Sequence, residues 1–284
     1  MRRFAFSWLA LFWLFTGITP ATATEPAQPP LLLGVHPYLP VAEIQQRFTP
    51  LADYLGKKLG QPVQVRVGRD FEQHIDAVGL DQVDIAFIGP YAYVKMTARH
   101  GAKPLLARIE VKGKPFLSGY IVTRADSPLR NLTELRGKRF AFGDLDSTGT
   151  IVGRYVLQQA GVRLKDLGAY QYLAGHTDIA LGVLNGDFDA GTIRSEVYDE
   201  QAARGLRALA PWPEVSEHLF VARAGLPAGQ VKLLRQALLQ LKDSPQGAAI
   251  LQAIHISMTA MVPVADTSYD NMRKMWRVLD RKGE

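Results

Sequence analysis

The stretch Phe142-Gly143-Asp144-Leu145-Asp146-Ser147-Thr148-Gly149-Thr150 closes an apolar run and opens onto a helical pattern, Ile151, Val152, Tyr155 and Val156. Hydroxyls and glycine at the mouth of a helix have a definite chemistry. The first turn of a helix leaves backbone N–H groups without partners, and its dipole favours negative charge there. Gly149 admits close approach of a ligand, while Ser147, Thr148 and Thr150 each carry a hydroxyl donor. Together they make a nest for a tetrahedral or planar oxyanion. The same residue types also cap helices, so the segment alone leaves binding and capping both open. It is not a P-loop, because the required Gly-Lys-Ser/Thr is absent.

Further junctions have the same character. Ile88-Gly89-Pro90-Tyr91-Ala92-Tyr93-Val94 leads from an apolar strand into a helix starting at Pro90, where a missing N–H costs nothing. One of its tyrosines should be core and the other should face a ligand; Tyr93 is the expected one. His176, in Ala174-Gly175-His176-Thr177, stands at another strand-to-helix junction, placed to donate a hydrogen bond, although a lone histidine also serves purely structural ends. Asp189 and Arg194 lie near the next strand. Arg194 could pair with a ligand anion, with Asp189 or with Glu196. Catalysis finds little support. The six histidines, 36, 74, 100, 176, 218 and 255, include no pair at H-E-x-x-H spacing, and there is no G-x-S-x-G elbow, no Cys and no G-x-G-x-x-G fingerprint. A Ser147–His176–Asp189 set has no spacing to recommend it. No catalytic residue, metal or cofactor is therefore expected.

These junctions need an alternating framework to position them. Leu31–Pro37 reads as a strand, and Ile44, Phe48, Leu51, Leu55 and Leu59 give helical spacing that ends at Gly60, with Pro50 expected to kink or divide the helix. A strand at 62–68, a helix opened by Asp70, the strand into Gly89, the helix after it and strands near 103–111 and 116–125 complete a first round. A second round repeats the alternation through 127–226, and the tail from 228 to 284 is helical. Each round has an Asp at a helix-to-strand turn, Asp84 and Asp189. Such alternation predicts an α/β fold with mostly parallel sheets, and two comparable units predict two lobes with a ligand cleft between them.

Residues 1–23 are set apart by Arg2, Arg3, an apolar core from Phe4 to Phe15 and the small-residue end Ala21-Thr22-Ala23. This order predicts a secretory signal peptide cleaved after Ala23, and its apolar core falls short of the roughly 20 residues a membrane span needs. No Cys follows it, which excludes lipid attachment there. A proline-rich linker, 24–30, comes next. Removing Arg2 and Arg3 lowers the formal charge from +6 to +4, a mild preference for anions rather than the clustered bases of a nucleic-acid binder. Without Cys the fold must rest on an ordinary core.

The order VDIAFIGPYAYV, then FGDLDSTGT, then GHTDIALGVLNGDFDAG resembles the phosphate/phosphite/phosphonate-binding proteins that serve ABC importers, over most of the chain after residue 31. The resemblance implies a two-lobed type II periplasmic-binding-protein fold, two mostly parallel sheets flanked by helices and joined by two crossover strands. It implies crossovers at 118–124 and about 217–223, one lobe of 31–121 plus 220–284, and another of 122–219. Carried over position by position, it implies an oxyanion met by Ser147 and Thr148, with Tyr38, Tyr93, His176 and Asp189 around it. The partners implied are the small oxyanion and an ABC permease, or else a membrane sensor kinase, with the protein a monomer in the periplasm and no enzyme. Departures are visible. The family's Ser-Thr-Ser-Gly reads Ser-Thr-Gly-Thr here, so Gly149 removes one hydroxyl that Thr150 would have to restore. Thr177 stands where relatives that bind an aminoalkyl phosphonate can have an acid, and Arg194 adds positive charge.

Overall fold

The computed structural model describes residues 28–280, so the expected signal peptide at 1–23 and most of the linker lie outside the described residues. The first round runs β1 (Leu31–Val35), α1 (Val41–Leu59), β2 (Val63–Val67), α2 (Phe71–Gly79), β3 (Ile85–Ile88), α3 (Pro90–His100) and β4 (Leu105–Val111). β5 (Phe116–Leu117) leads to β6 (Gly119–Arg124), β7 (Arg139–Phe142), α4 (Thr148–Gln159), β8 (Ala169–Tyr172), α5 (His176–Leu184), β9 (Ala190–Arg194), α6 (Ser195–Gln201) and β10 (Leu206–Pro211). The chain returns through β11 (Val215–Ser216) to β12 (Leu219–Ala222), α7 (Ala228–Leu239), α8 (Pro245–Ile254), β13 (Met258–Val262) and α9 (Asp270–Asp280).

Local chemistry explains the boundaries. Gly60 ends α1 in the left-handed region at φ 68°, and Asp70 caps α2 by accepting from the Gln73 N–H at 2.7 Å. Pro50 lies inside α1 without dividing it: its apolar stripe, Ile44, Phe48, Leu51 and Leu55, is fully buried along one continuous helix. Burial of that stripe outweighs the one backbone bond proline removes.

Two sheets form, in the orders β13-β4-β12-β3-β1-β2 and β10-β6-β9-β7-β8. The two-lobed α/β architecture is as expected, but the sheets are more mixed than mostly parallel. β1, β2 and β3 are parallel, and so are β7, β8 and β9. β12 pairs antiparallel with both β3 and β4, and β13 with β4, so β4 shares the direction of β1–β3 while β12 and β13 are reversed; β6 pairs antiparallel with both β9 and β10, so β10 shares the direction of β7–β9 and β6 is reversed. For β6 and β12 the cause is the chain's double passage between lobes, since each enters from the other lobe and runs against the strands laid down locally. The passage itself is the antiparallel ribbon of β5 and β11, with Leu117 opposite Val215. It lies just N-terminal to the expected crossovers: residues 119–124 already pair within the second sheet, and 219–222 within the first. α9 also departs from a one-lobe assignment. Its Met272, Met275 and Leu279 share a buried cluster with Ile151, Val152 and Val156 of α4 and with Tyr91 and Val94 of α3.

Candidate oxyanion site

In an open α/β sheet the C-terminal ends of the parallel strands and the helices that follow them share one edge, where ligands gather. Here the two sheets turn those edges toward one cavity of about 130 Å³. β1 delivers His36 and Tyr38, β3 delivers Gly89, β7 delivers Gly143 to Gly149, β8 delivers Ala174 to His176, and β9 ends in Arg194. β12 runs antiparallel to β3, so its N-terminal end meets the same edge and brings His218. Phe71, Phe87, Ile109, Val111, Leu117 and Ile254 supply apolar wall.

The α4 mouth divides its labour. Ser147 is the cap, its Oγ accepting from the Thr150 N–H at 3.2 Å. Thr148, only 7% exposed, reaches across to the other sheet's helix: its Oγ1 accepts from the Tyr91 N–H at 3.2 Å. Because that oxygen is used as an acceptor, the hydroxyl hydrogen is left to donate into the cavity. Gly149 has a steric reason. A Cβ there would stand 2.8 Å from His176 Cε1 and 3.1 Å from Trp212, so only glycine lets the imidazole lie against the helix. The N-termini of α3, α4 and α5 thus converge, each with the partial positive charge of a first turn.

Around this mouth the titratable groups are held in defined states. His36 Nδ1 and His74 Nε2 both meet the Phe87 carbonyl, at 3.3 and 3.1 Å. A carbonyl only accepts, so those nitrogens carry the hydrogens. Burial, then His218 and His74, hold His36 well below its ordinary pKa, and burial brings His74 to about 4. His176 is lowered to about 4 by burial and then by Arg194, and its buried Nδ1 has no partner among the described residues. Burial pushes the Tyr38 phenol up to about 12, which keeps it a donor. Arg194 is tied by Nε and Nη2 to Glu196 at 3.2 and 3.4 Å and by Nη2 to Glu217 at 3.1 Å. Burial opposes its charge, yet Glu217 and Glu196 outweigh burial and raise its pKa. For Glu217, burial is overcome by Arg194 and His218, and its carboxyl falls to about 2.

Of the residues the sequence singles out, the cavity gathers Tyr38, Ser147, Thr148, Gly149, His176 and Arg194. Three others stand elsewhere. Tyr93 is 1% exposed and donates to Asp266 at 2.7 Å, packed on Tyr269 away from the cavity; at the α3 mouth it is Ala92 that lines the wall. Thr150 is fully buried and spends its hydroxyl on the Gly143 carbonyl at 3.0 Å, so it does not restore the hydroxyl missing at Gly149. Asp189 precedes β9 and so lies at the opposite strand end, where it accepts from the Arg139 N–H at 2.8 Å and pairs with its guanidinium. Asp84 does the same for the Leu32 N–H at 2.8 Å, with Arg223 as its ion partner. The Asp shared by the two rounds is thus a strand-to-strand tie. Sequence reasoning also passed over His36, His218, His255 and Glu217. His36 was open to discovery, as it directly follows β1, but His218 was not, because its placement depends on the reversed direction of β12.

Contacts other than Thr148–Tyr91 also cross the cleft. Lys95 of α3 holds Asp146, on the α4 loop, and Glu72 of α2, each at 2.6 Å. Lys112 reaches Asp199 at 3.1 Å at the exposed rim. Among the described residues no group of three or more His, Asp or Glu could hold a metal ion, and no helix is long and apolar enough to cross a membrane.

Comparison with known proteins places this geometry in context. The family described as "ABC transporter, phosphonate, periplasmic substrate-binding protein" matches residues 33–269. The chain is similar to the phosphonates-binding periplasmic protein of Escherichia coli K12, with 27% identity over 67% of this chain and 58% of the relative. It is also similar to the phosphate-import protein PhnD of Mycolicibacterium smegmatis, with 31% identity over 60% of this chain and 57% of the relative. The matched region spans somewhat more than half the length of these relatives. Among solved structures, PhnD1 of Prochlorococcus marinus in complex with methylphosphonate aligns with a TM-score of 0.78 at 20% identity, covering 88% of this chain and 98% of that one.

Proposed function

This chain belongs to the periplasmic substrate-binding protein family of phosphonate ABC transporters, and we propose that it captures a small phosphorus oxyanion between its two sheets and delivers it to a membrane permease. The reading is carried by one observation. Thr148, at the mouth of α4, is fixed by the Tyr91 N–H of the opposing helix and keeps its own hydrogen for the cavity. The ligand's oxygens sit against Ser147, Thr148 and the first N–H groups of α4, with Tyr38 and His176 as neighbours. Charge-assisted hydrogen bonds in a site walled off from water supply the affinity. They form fully only when the sheets close together, so binding shifts the population from open to closed. Neutral His36, His74 and His176 make the site one that holds its ligand by donors and helix ends rather than by a large positive charge. Export is by the 1–23 leader, cleaved after Ala23, and the mature chain works as a monomer. Neither a metal nor a catalytic group takes part.

Thermal melting of refolded mature protein, from Thr24 onward, tests this against phosphate, phosphite, methylphosphonate, sulfate, thiosulfate and small carboxylates. A ligand at about 1,000 times its Kd adds roughly 4 kcal/mol, which raises the midpoint by about 8–16 °C in a chain of this size. The shift is expected with phosphorus oxyanions. A shift confined to a sulfur oxyanion or a carboxylate would overturn the choice of ligand, and flat curves throughout would overturn the capture of a small anion.

A further inference from the structure

Arg194 is out of keeping with a simple anion site. It lines the cavity at the end of β9, yet its charge is already spent. Glu196 meets its Nε at 3.2 Å and its Nη2 at 3.4 Å, and Glu217 meets Nη2 at 3.1 Å. The other Glu217 oxygen accepts from the His218 backbone N–H and contacts the His218 ring, both at 2.9 Å. Every carboxylate oxygen of the pair is therefore occupied, and Glu217 is only 1% exposed. One guanidinium between two carboxylates adds no positive field for a ligand anion. What it does is fill a well of acceptors that would otherwise take a cation, since a buried carboxylate left unpaired is strongly unfavourable.

From this we infer that Arg194 is a specificity residue, a tethered cation that occupies the Glu196–Glu217 pair and thereby makes the cleft reject oxyanions carrying an ammonium tail. The inference rests on the oxyanion reading above. A ligand ammonium entering the cleft must shed its water and finds no free oxygen on Glu196 or Glu217 to replace it. An alkyl tail of the same length has no such need and meets Ile109, Val111 and Leu117. Glu196 and Glu217 stand behind Arg194 rather than in the cavity wall, whereas two carboxylates line the cavity directly. Asp146 is paired with Lys95, and Asp144, whose carboxyl accepts from the Asp146 N–H at 2.9 Å, has no cation partner among the described residues. Pairing of the tail with Asp144 is the rival outcome.

The test is calorimetric titration with ethyl- and propylphosphonate beside 2-aminoethyl- and 3-aminopropylphosphonate. The natural protein should favour each alkyl ligand over its amino counterpart by about tenfold or more. Arg194→Met should open the carboxylate pair and reverse that preference, while Arg194→Lys, which keeps a tethered cation, should retain it. If Arg194→Met does not fold, the natural protein and Arg194→Lys still decide. Amino ligands bound by the natural protein as tightly as the alkyl ones, as pairing with Asp144 would give, would overturn the inference. An unchanged preference in Arg194→Met would do so as well. Both results leave the oxyanion reading intact, whereas failure of the natural protein to bind any of the four overturns the inference, and failure to bind phosphate, phosphite and methylphosphonate titrated beside them overturns the oxyanion reading as well.

Discussion

Replacing Thr148 by valine keeps the shape of the side chain and removes only its hydroxyl, so the loss can be worked out from two hydrogen bonds. The first is the 3.2 Å bond accepted from the Tyr91 N–H, in a position where Thr148 is almost wholly buried. Orphaning that N–H costs about 1–3 kcal/mol. The second is the bond donated to the anion, which at a charged oxygen contributes about 1.5–3 kcal/mol. Both exist together only when the sheets are closed on a ligand; in an open, empty protein water can serve the Tyr91 N–H. The loss should therefore appear in affinity rather than in the stability of the empty protein. A total of about 2.5–6 kcal/mol corresponds to roughly sixtyfold to about twenty-thousandfold in Kd. Calorimetric titration with methylphosphonate gives the affinity, and urea unfolding without ligand gives the stability. Unchanged affinity with a destabilised fold would refute the reasoning and return Thr148 to a structural role.

Other consequences follow from the same geometry. Lys95→Met, which touches no ligand, should weaken methylphosphonate binding by roughly tenfold by leaving the little-exposed Asp146 unpaired on closure; equal affinities would show that the pair does not favour the closed form. Asp189→Ala should cost about 0.5–1.5 kcal/mol in urea unfolding by removing the hydrogen bond accepted from the exposed Arg139 N–H, with Kd unchanged; a changed Kd would put Asp189 back in the site. His36 and His74 have pKa values lowered by burial, so the unfolded chain takes up protons first as pH falls. Their stability contribution is complete above about pH 6.5 and is lost toward pH 4, up to about 3 kcal/mol for His74 alone. Urea unfolding at pH 7.5 and 5 should show that loss, and equal stabilities would contradict it.

Much of this was legible before the fold. The alternation of strand and helix fixes which junctions face one edge, so Ser147, Thr148, Gly149 and His176, each just after a strand, fall together in space. Asp189 was misplaced because the resemblance set it around the anion, although its helix-to-strand turn puts it at the strand end away from the helix mouths, where it ties Arg139. Tyr93 failed for a different reason. Its partner, Asp266, is 173 residues away on the C-terminal segment, and no local pattern announces that contact. The ion cluster was invisible for the same reason: Arg194 meets Glu217 only because the β5–β11 ribbon brings the returning chain back to the cleft. Periodicity reports on faces and ends of elements, whereas the reversed strands and the cross-lobe packing of α9 are settled by tertiary contacts.

A crystal structure of the mature protein with methylphosphonate would decide where the anion sits. Its oxygens should lie about 2.6–3.2 Å from the Thr148 hydroxyl and from the first N–H groups of α4, with the Tyr91–Thr148 contact in place. An anion found instead in the basic pocket bordered by Arg124, Lys138 and Arg139, with the cavity at the helix mouths left unoccupied, would contradict the assignment of the site.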